Sequence, residues 1–305
     1  MPIGGIDQWL AIQGSDVRNP AILYLHGGPG EAQSPFLREF VPWEVDFTVV
    51  NWDQRGSGRT YGRNGPATPG MSTPQEALEQ LCNDVRSVAE HVCRRLSRQK
   101  VILVGQSWGA ELGLHVVKRW PERFHAFVGT GQPVSWQLKI EAQERWARVQ
   151  ANAAGDQDTL KALDDTASLP TSDPKRTRAS AKYRLAPSDL EYAKAFDAFV
   201  GPPPPPTQGD VADWIAGSRF TFTHLAPVEY SLDARALGLD FAIPFFVIQG
   251  RDDHIAPFDV AQAYVAEVRA PKKAFVAIDG GHWACFTNAK AFVEALRKYV
   301  RPLAG

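Results

Sequence analysis

The stretch KVILVGQSWGAELGLHVV, beginning at Lys100, limits the folds open to this chain more than any other. Four apolar residues run without alternation into Gly105, the pattern of a strand buried on both faces. The residues after Ser107 repeat at helical spacing. Between them stands Gly105-Gln106-Ser107-Trp108-Gly109, a G-x-S-x-G sequence on a strand-to-helix turn. A serine there sits on a tight, strained elbow, and the flanking glycines omit Cβ atoms that would strike the neighbouring strand and helix. The hydroxyl is then held above a sheet edge, at the start of a helix.

Similar short apolar runs recur, bounded by Gly, Pro, Asn or Asp: QWLAIQG, AILYLHGG, DFTVVNWD, FHAFVGTG, PFFVIQG and KAFVAIDG. Helical patterns separate several of them. In TPQEALEQLCNDVRSVAEHVCRRL, Thr73 and Glu76 have capping-box spacing and Pro74 takes the first helical position. Leu78, Leu81, Val85, Val88, Val92 and Leu96 then form one apolar stripe. Strands alternating with amphipathic helices predict an α/β fold, a mostly parallel sheet covered by helices on both faces. From Val134 to Leu239 the pattern turns helical and charged, with no convincing buried strand. Residues 134–239 are therefore expected to form a mainly helical cap inserted into a core made of residues 1–133 and 240–305. The run GPPPPPTQGD reads as a stiff loop of that cap.

The bulk numbers exclude several classes of function. With 33 basic and 34 acidic residues, and no Lys/Arg run, nucleic acid is not an expected partner. No uncharged apolar segment approaches the ~20 residues that cross a bilayer, and no secretory leader pattern opens the chain. Of three cysteines, Cys82 and Cys93 fall in one helix about 16 Å apart along its axis, too far for a disulfide. Three reduced thiols and no metal-type spacing suit a cytoplasmic protein without a metal or organic cofactor.

A serine hydroxyl needs a base. His91 and His115 fall in helices, His125 opens a core strand, His224 lies in the insertion and His26 in an early glycine loop. His282, in AIDGGHWACF after the last strand, holds the late-loop position expected when the order is Ser, acid, His. The acid comes from FFVIQGRDDHIAP, where Asp252 and Asp253 are both candidates. Two backbone donors must hold a developing oxyanion. The N–H of Trp108 follows the serine, and Gly28, beside Gly27 in YLHGGPGE, supplies the second. Gly27 and Trp283 are expected at the substrate pocket.

These residues resemble the α/β-hydrolase superfamily, and within it the proline iminopeptidase group. The group's motifs stand here as His26-Gly27-Gly28-Pro29-Gly30, Asp53-Gln54-Arg55-Gly56, GQSWGA, and GGHW at His282. Its acid follows G-x-x-D, which on Gly250-Arg251-Asp252-Asp253 selects Asp253. The resemblance covers about two-thirds of the chain. It implies the α/β-hydrolase fold and a Ser107–Asp253–His282 triad that releases N-terminal residues from small peptides. It also implies cap glutamates holding the substrate's amino terminus, for which Glu141, Glu144, Glu191 and Glu229 are available. Asp53 and Arg55 are expected to brace loops. The expected substrate is a small molecule or short peptide. The competing readings are a carboxylesterase or lactonase, and a ligand receptor of the same fold without turnover. An aspartate-nucleophile hydrolase is disfavoured because position 107 is serine.

Overall fold

A computed structural model describes residues 1–197 and 208–304. Two short strands, β1 (Pro2–Ile3) and β2 (Ile6–Asp7), form a hairpin. Seven more form one sheet: β3 (Leu10–Gln13), β4 (Ala21–Leu25), β5 (Thr48–Trp52), β6 (Val101–Gln106), β7 (Phe124–Thr130), β8 (Phe245–Gly250) and β9 (Lys273–Ile278). Their order is β3-β5-β4-β6-β7-β8-β9. Only β3 pairs antiparallel; every other neighbouring pair is parallel. Each of these seven strands lies within one of the seven apolar runs read in the sequence.

The unbroken apolar runs are explained by two cores. Successive strand residues point to opposite faces, so Val101 and Leu103 enter one core while Ile102 and Val104 enter the other. The first core is closed by the helices Pro74–Arg95, Trp108–Arg119 and Phe258–Glu267. The second is closed by Phe40 and Trp43, and by Phe292 and Leu296 of the helix Ala289–Tyr299. Thr73 caps the helix Pro74–Arg95 by accepting the Glu76 N–H at 3.1 Å. From its stripe, Leu81, Val85, Val88 and Val92 are fully buried. Burying each such side chain contributes about 1.5–3 kcal/mol.

Between β7 and β8 the chain forms the helices Trp136–Ala154, Gln157–Thr166, Pro174–Ser180, Pro187–Asp197 and Gln208–Tyr230. The ends of this segment meet. Ser135 bridges Asp233, the Trp136 N–H donates to Leu232 O at 3.0 Å, and the Ala234 N–H donates to Val134 O at 2.7 Å. The helix Gln208–Tyr230 lies on the sheet's upper loops: Thr221 Oγ1 donates to Gly56 O at 2.7 Å and Trp214 Nε1 to Ala32 O at 2.8 Å. The proline run at 202–206 lies outside the described residues. Cys82, Cys93 and Cys285 are free. No helix among the described residues is long and apolar enough to cross a membrane.

Candidate active site

The loop holding Gly28 leaves the C-terminal end of β4, Ser107 that of β6, Asp253 that of β8 and His282 that of β9. These strands run parallel, so all four loops emerge at one edge of the sheet, the edge where open α/β sheets bind ligands.

Ser107 has φ 52° and ψ −121° and caps the helix Trp108–Arg119. A non-glycine residue held at positive φ costs of order 1–3 kcal/mol. The surroundings enforce it. The Ser107 N–H donates to Thr130 O on β7 at 2.9 Å. A Cβ on Gly109 would lie 2.0 Å from Leu25 O, and one on Gly105 would lie 2.4 Å from Gly109 O. The glycine pair thus lets strand and helix close on one another and leaves the serine at the apex. The N–H groups of Trp108 and Gly28 have no acceptor among the described residues.

His282 is 3% exposed, and its Nδ1 faces Asp253 Oδ1 at 3.1 Å and Oδ2 at 3.0 Å. Asp253 is fully buried and held by three further donors. Its Oδ1 accepts the N–H groups of Ile255 (3.0 Å) and Ala256 (2.8 Å), and its Oδ2 accepts Gln249 Nε2 (2.7 Å). Gln249 in turn donates to Ala256 O and accepts the Gln132 N–H. These donors fix the orientation of the carboxylate against the imidazole. Burial lowers the His282 pKa, but the charge and hydrogen bond of Asp253, with a smaller contribution from Asp189, outweigh it, and the net pKa lies above the ordinary histidine value. Asp252, the neighbouring candidate, is exposed. Ser107, His282, Gly28 and Trp283 all line one cavity of about 500 Å³.

The alpha/beta hydrolase fold family is matched over residues 20–289. The chain belongs to this family. A Bacillus subtilis protein named "Probable aminopeptidase YbaC" is 27% identical over 316 residues, spanning 99% of this chain and 95% of that one. A proline iminopeptidase of Lacticaseibacillus rhamnosus is 24% identical over 296 residues, 95% of this chain and 90% of its own. The crystal structure of proline iminopeptidase from Mycobacterium smegmatis shares the fold with a TM-score of 0.69 at 21% identity, covering 99% of this chain and 97% of that one. The resemblance read from the motifs therefore holds, and the chain is an alpha/beta hydrolase enzyme similar to proteins named aminopeptidase and proline iminopeptidase.

One expectation about the hydrolase's pocket needs correction. Gly27 is buried and does not line the cavity. It lies beneath the serine, where a Cβ would come within 2.2 Å of Gln106 Oε1 and 3.2 Å of Ser107 Cβ, so close packing explains it. The Trp108 side chain is also buried, with Nε1 donating to Gln54 Oε1 at 3.2 Å; only Trp283 of the two tryptophans walls the cavity. His26 is a structural histidine. Its Nδ1 contacts Gly27 O at 3.0 Å, its Nε2 accepts the Gln54 N–H at 3.1 Å, and burial lowers its pKa to about 4. Arg55 braces loops as expected, donating to both oxygens of Asp84 (2.7 and 3.1 Å) and to Gly4 O and Pro69 O.

Of the four insertion glutamates, only Glu229 reaches the cavity, where it pairs with Lys139 at 3.1 Å. Glu144 pairs with Arg176 and Glu191 with Lys194, away from the cavity. Sequence reasoning missed three residues. Glu31, directly after the glycine loop, lines the cavity; burial raises its carboxyl above the usual value, against the attraction of His282. Gln249 was readable only as a polar residue ending an apolar strand run. Asp189 sits in the helix Pro187–Asp197 and is fully buried. Its carboxylate accepts the backbone N–H groups of His282 (2.9 Å) and Trp283 (3.2 Å), as well as that of Ala186 (3.3 Å). No local signal marked it, because an acid in a first helical turn usually serves only its own helix. No group of three or more His, Cys, Asp or Glu side chains able to hold a metal ion occurs among the described residues.

Proposed function

We propose that this alpha/beta hydrolase is a serine hydrolase that releases the N-terminal residue of small peptides. Ser107 attacks the carbonyl while His282 takes its proton. Asp253 holds the imidazole in the tautomer whose second nitrogen faces the serine, and balances the imidazolium. The N–H groups of Gly28 and Trp108 receive the oxyanion. His282 then protonates the leaving amine, and a water activated by the same imidazole releases the acyl group from Ser107. Residues 134–239 act as a cap over this site. Glu31 and Glu229 form the acidic side of the cavity and receive the substrate's ammonium, with Lys139 offsetting one of their two charges. The free thiols suit a reducing, cytoplasmic setting.

One observation carries this reading. An imidazole fixed by a buried, fully hydrogen-bonded carboxylate shares a cavity with a serine held at positive φ. The test is turnover of a proline arylamide and of a short-chain aryl ester by the wild type and by Ser107→Ala. The variant is expected to lose at least about 10³-fold in kcat with an unchanged melting temperature. Amide turnover that requires a free amine supports the peptidase, whereas ester turnover alone makes the protein a carboxylesterase or lactonase. Wild-type rates in Ser107→Ala, or no labelling of Ser107 by a fluorophosphonate, refute serine catalysis and favour a receptor.

A further inference from the structure

The cavity is lined by a cation that no described residue pairs with. Arg184 lies in the turn between the helices Pro174–Ser180 and Pro187–Asp197, and its side chain is one wall of the cavity that contains Ser107 and His282. It is half-buried and makes no hydrogen bond or ion pair with any described residue. Its neighbours differ. Arg176 is bound at both ends of Glu144, and Lys182 is paired with Asp156. Burial lowers the Arg184 pKa and no carboxylate raises it. A guanidinium stripped of part of its water without a partner is unfavourable, and it becomes favourable when a ligand supplies the anion. Arg178, six residues earlier and also lining the cavity, likewise has a side chain without a partner among the described residues.

The opposite charge stands elsewhere in the cavity. Glu31 comes three residues after the oxyanion donor Gly28, and its carboxyl senses the charges of His282 and Glu229. A Cβ on Gly28 would lie 3.3 Å from Glu31 Cγ, so the acidic side adjoins the oxyanion loop, whereas Arg184 is carried by the turn between two helices of the insertion. In a peptide cut after its first residue, the ammonium is next to the scissile carbonyl and the carboxylate is one or two residues beyond. A cavity of 500 Å³ is about 10 Å across if round, and an extended chain covers at most about 3.3–3.6 Å per residue. Two or three residues span it.

Resting on the serine peptidase reading above, we propose that the substrates are di- and tripeptides with a free carboxyl terminus, and that Arg184, assisted by Arg178, binds that carboxylate. The guanidinium fork suits the two carboxylate oxygens, which a lysine could not match as a pair. The specificity is thus for the far end of a short peptide, in addition to its first residue.

The test compares prolyl-alanine with prolyl-alanine amide, using prolyl arylamide as a substrate without a carboxylate, in the wild type and in Arg184→Gln. The wild type is expected to favour the free acid over the amide by about tenfold or more in kcat/KM. Arg184→Gln is expected to erase that preference by raising KM for the acid, leaving the amide and the arylamide within about threefold of wild type. Arg184→Lys should restore part of it. Equal use of acid and amide by the wild type overturns the proposal, as does a parallel loss on all three substrates in Arg184→Gln at an unchanged melting temperature. Arylamide turnover abolished by Ser107→Ala, together with no preference for the acid, sinks the carboxylate site while leaving the serine mechanism standing. Absence of arylamide and ester turnover in the wild type sinks the underlying mechanism instead.

Discussion

Gly131 stands where the imidazole of His282 leaves no room for a methyl group. Its φ is +53°, and a Cβ there would lie 2.7 Å from His282 Cε1 and 3.0 Å from Nδ1. Gly131→Ala should push the ring off Asp253. We expect kcat to fall by about 10²-fold, since displacements of about 1 Å have that effect, with stability lowered by roughly 1 kcal/mol for the strained backbone. Steady-state kinetics beside a urea titration separate the two. The protonation of the same ring sets the pH response. The base must be neutral, and the net effect of Asp253 and Asp189 raises its pKa. The proton therefore stays on to higher pH than usual, and the acid limb of kcat/KM should fall above the ordinary value of about 6.5. Activity is lost as pH drops through that limb. A limb below it in the wild type contradicts the raised value. At this scale the sequence revealed what a fixed motif encloses: Ser107 by its glycines, His282 by its late position, Asp253 by its family spacing. It hid Glu31, Gln249 and Asp189, because their positions depend on distant parts of the chain meeting, and an isolated acid or amide looks the same on a solvated surface.

At the scale of elements, one helix of the insertion fastens the loop that carries His282, the proposed base. Asp189 reaches back to the N–H of Ala186, as an acid at the third helical position often does, and also takes the N–H groups of His282 and Trp283. Ser188 Oγ accepts the Gly281 N–H at 3.2 Å in the same contact. Asp189→Asn removes a negative charge that raises the His282 pKa, and weakens the hold on the loop. Two changes are expected: the acid limb moves to lower pH, and kcat/KM at the optimum drops by about tenfold. A purely structural role would lower the melting temperature and leave the limb in place, which the pH profile distinguishes. The elements themselves were legible to different degrees. The five inner strands are buried on both faces and carry apolar runs that stood out, and the partly buried edge strands β3 and β9 showed runs of the same kind. Trp136–Ala154 was legible as a charged helical stretch, and Gly155 ends it in the left-handed conformation. The helix Gln208–Tyr230 did not. It contains Gly217 and Pro227, and β-branched and aromatic residues fall on most of its faces. Packing against the upper loops, through contacts such as Thr221 to Gly56 and Trp214 to Ala32, sustains it where local propensity would not.

Across the whole molecule, the hairpin, the Asp53–Gly56 loop and the long helix Pro74–Arg95 share one buried ion pair. Arg55 and Asp84 have no exposed side-chain surface, and Gln8 and Gln80 also donate to Asp84 at 2.9 and 2.8 Å. Arg55→Met should lower the free energy of unfolding by about 3–5 kcal/mol, because it strands a buried carboxylate. Arg55→Met combined with Asp84→Leu should recover much of that loss. Urea titration of the two variants decides between a pair essential to packing and one whose partners merely need each other. The backbone bonds at Val134–Trp136 and Leu232–Ala234 have a different kind of implication. Because the excursion of nearly a hundred residues starts and finishes at one spot, its length and composition weigh little on the strands below. Descendants of such a scaffold can trade the whole excursion as a cassette, acquiring a new diet while the proton-moving machinery underneath is inherited unchanged.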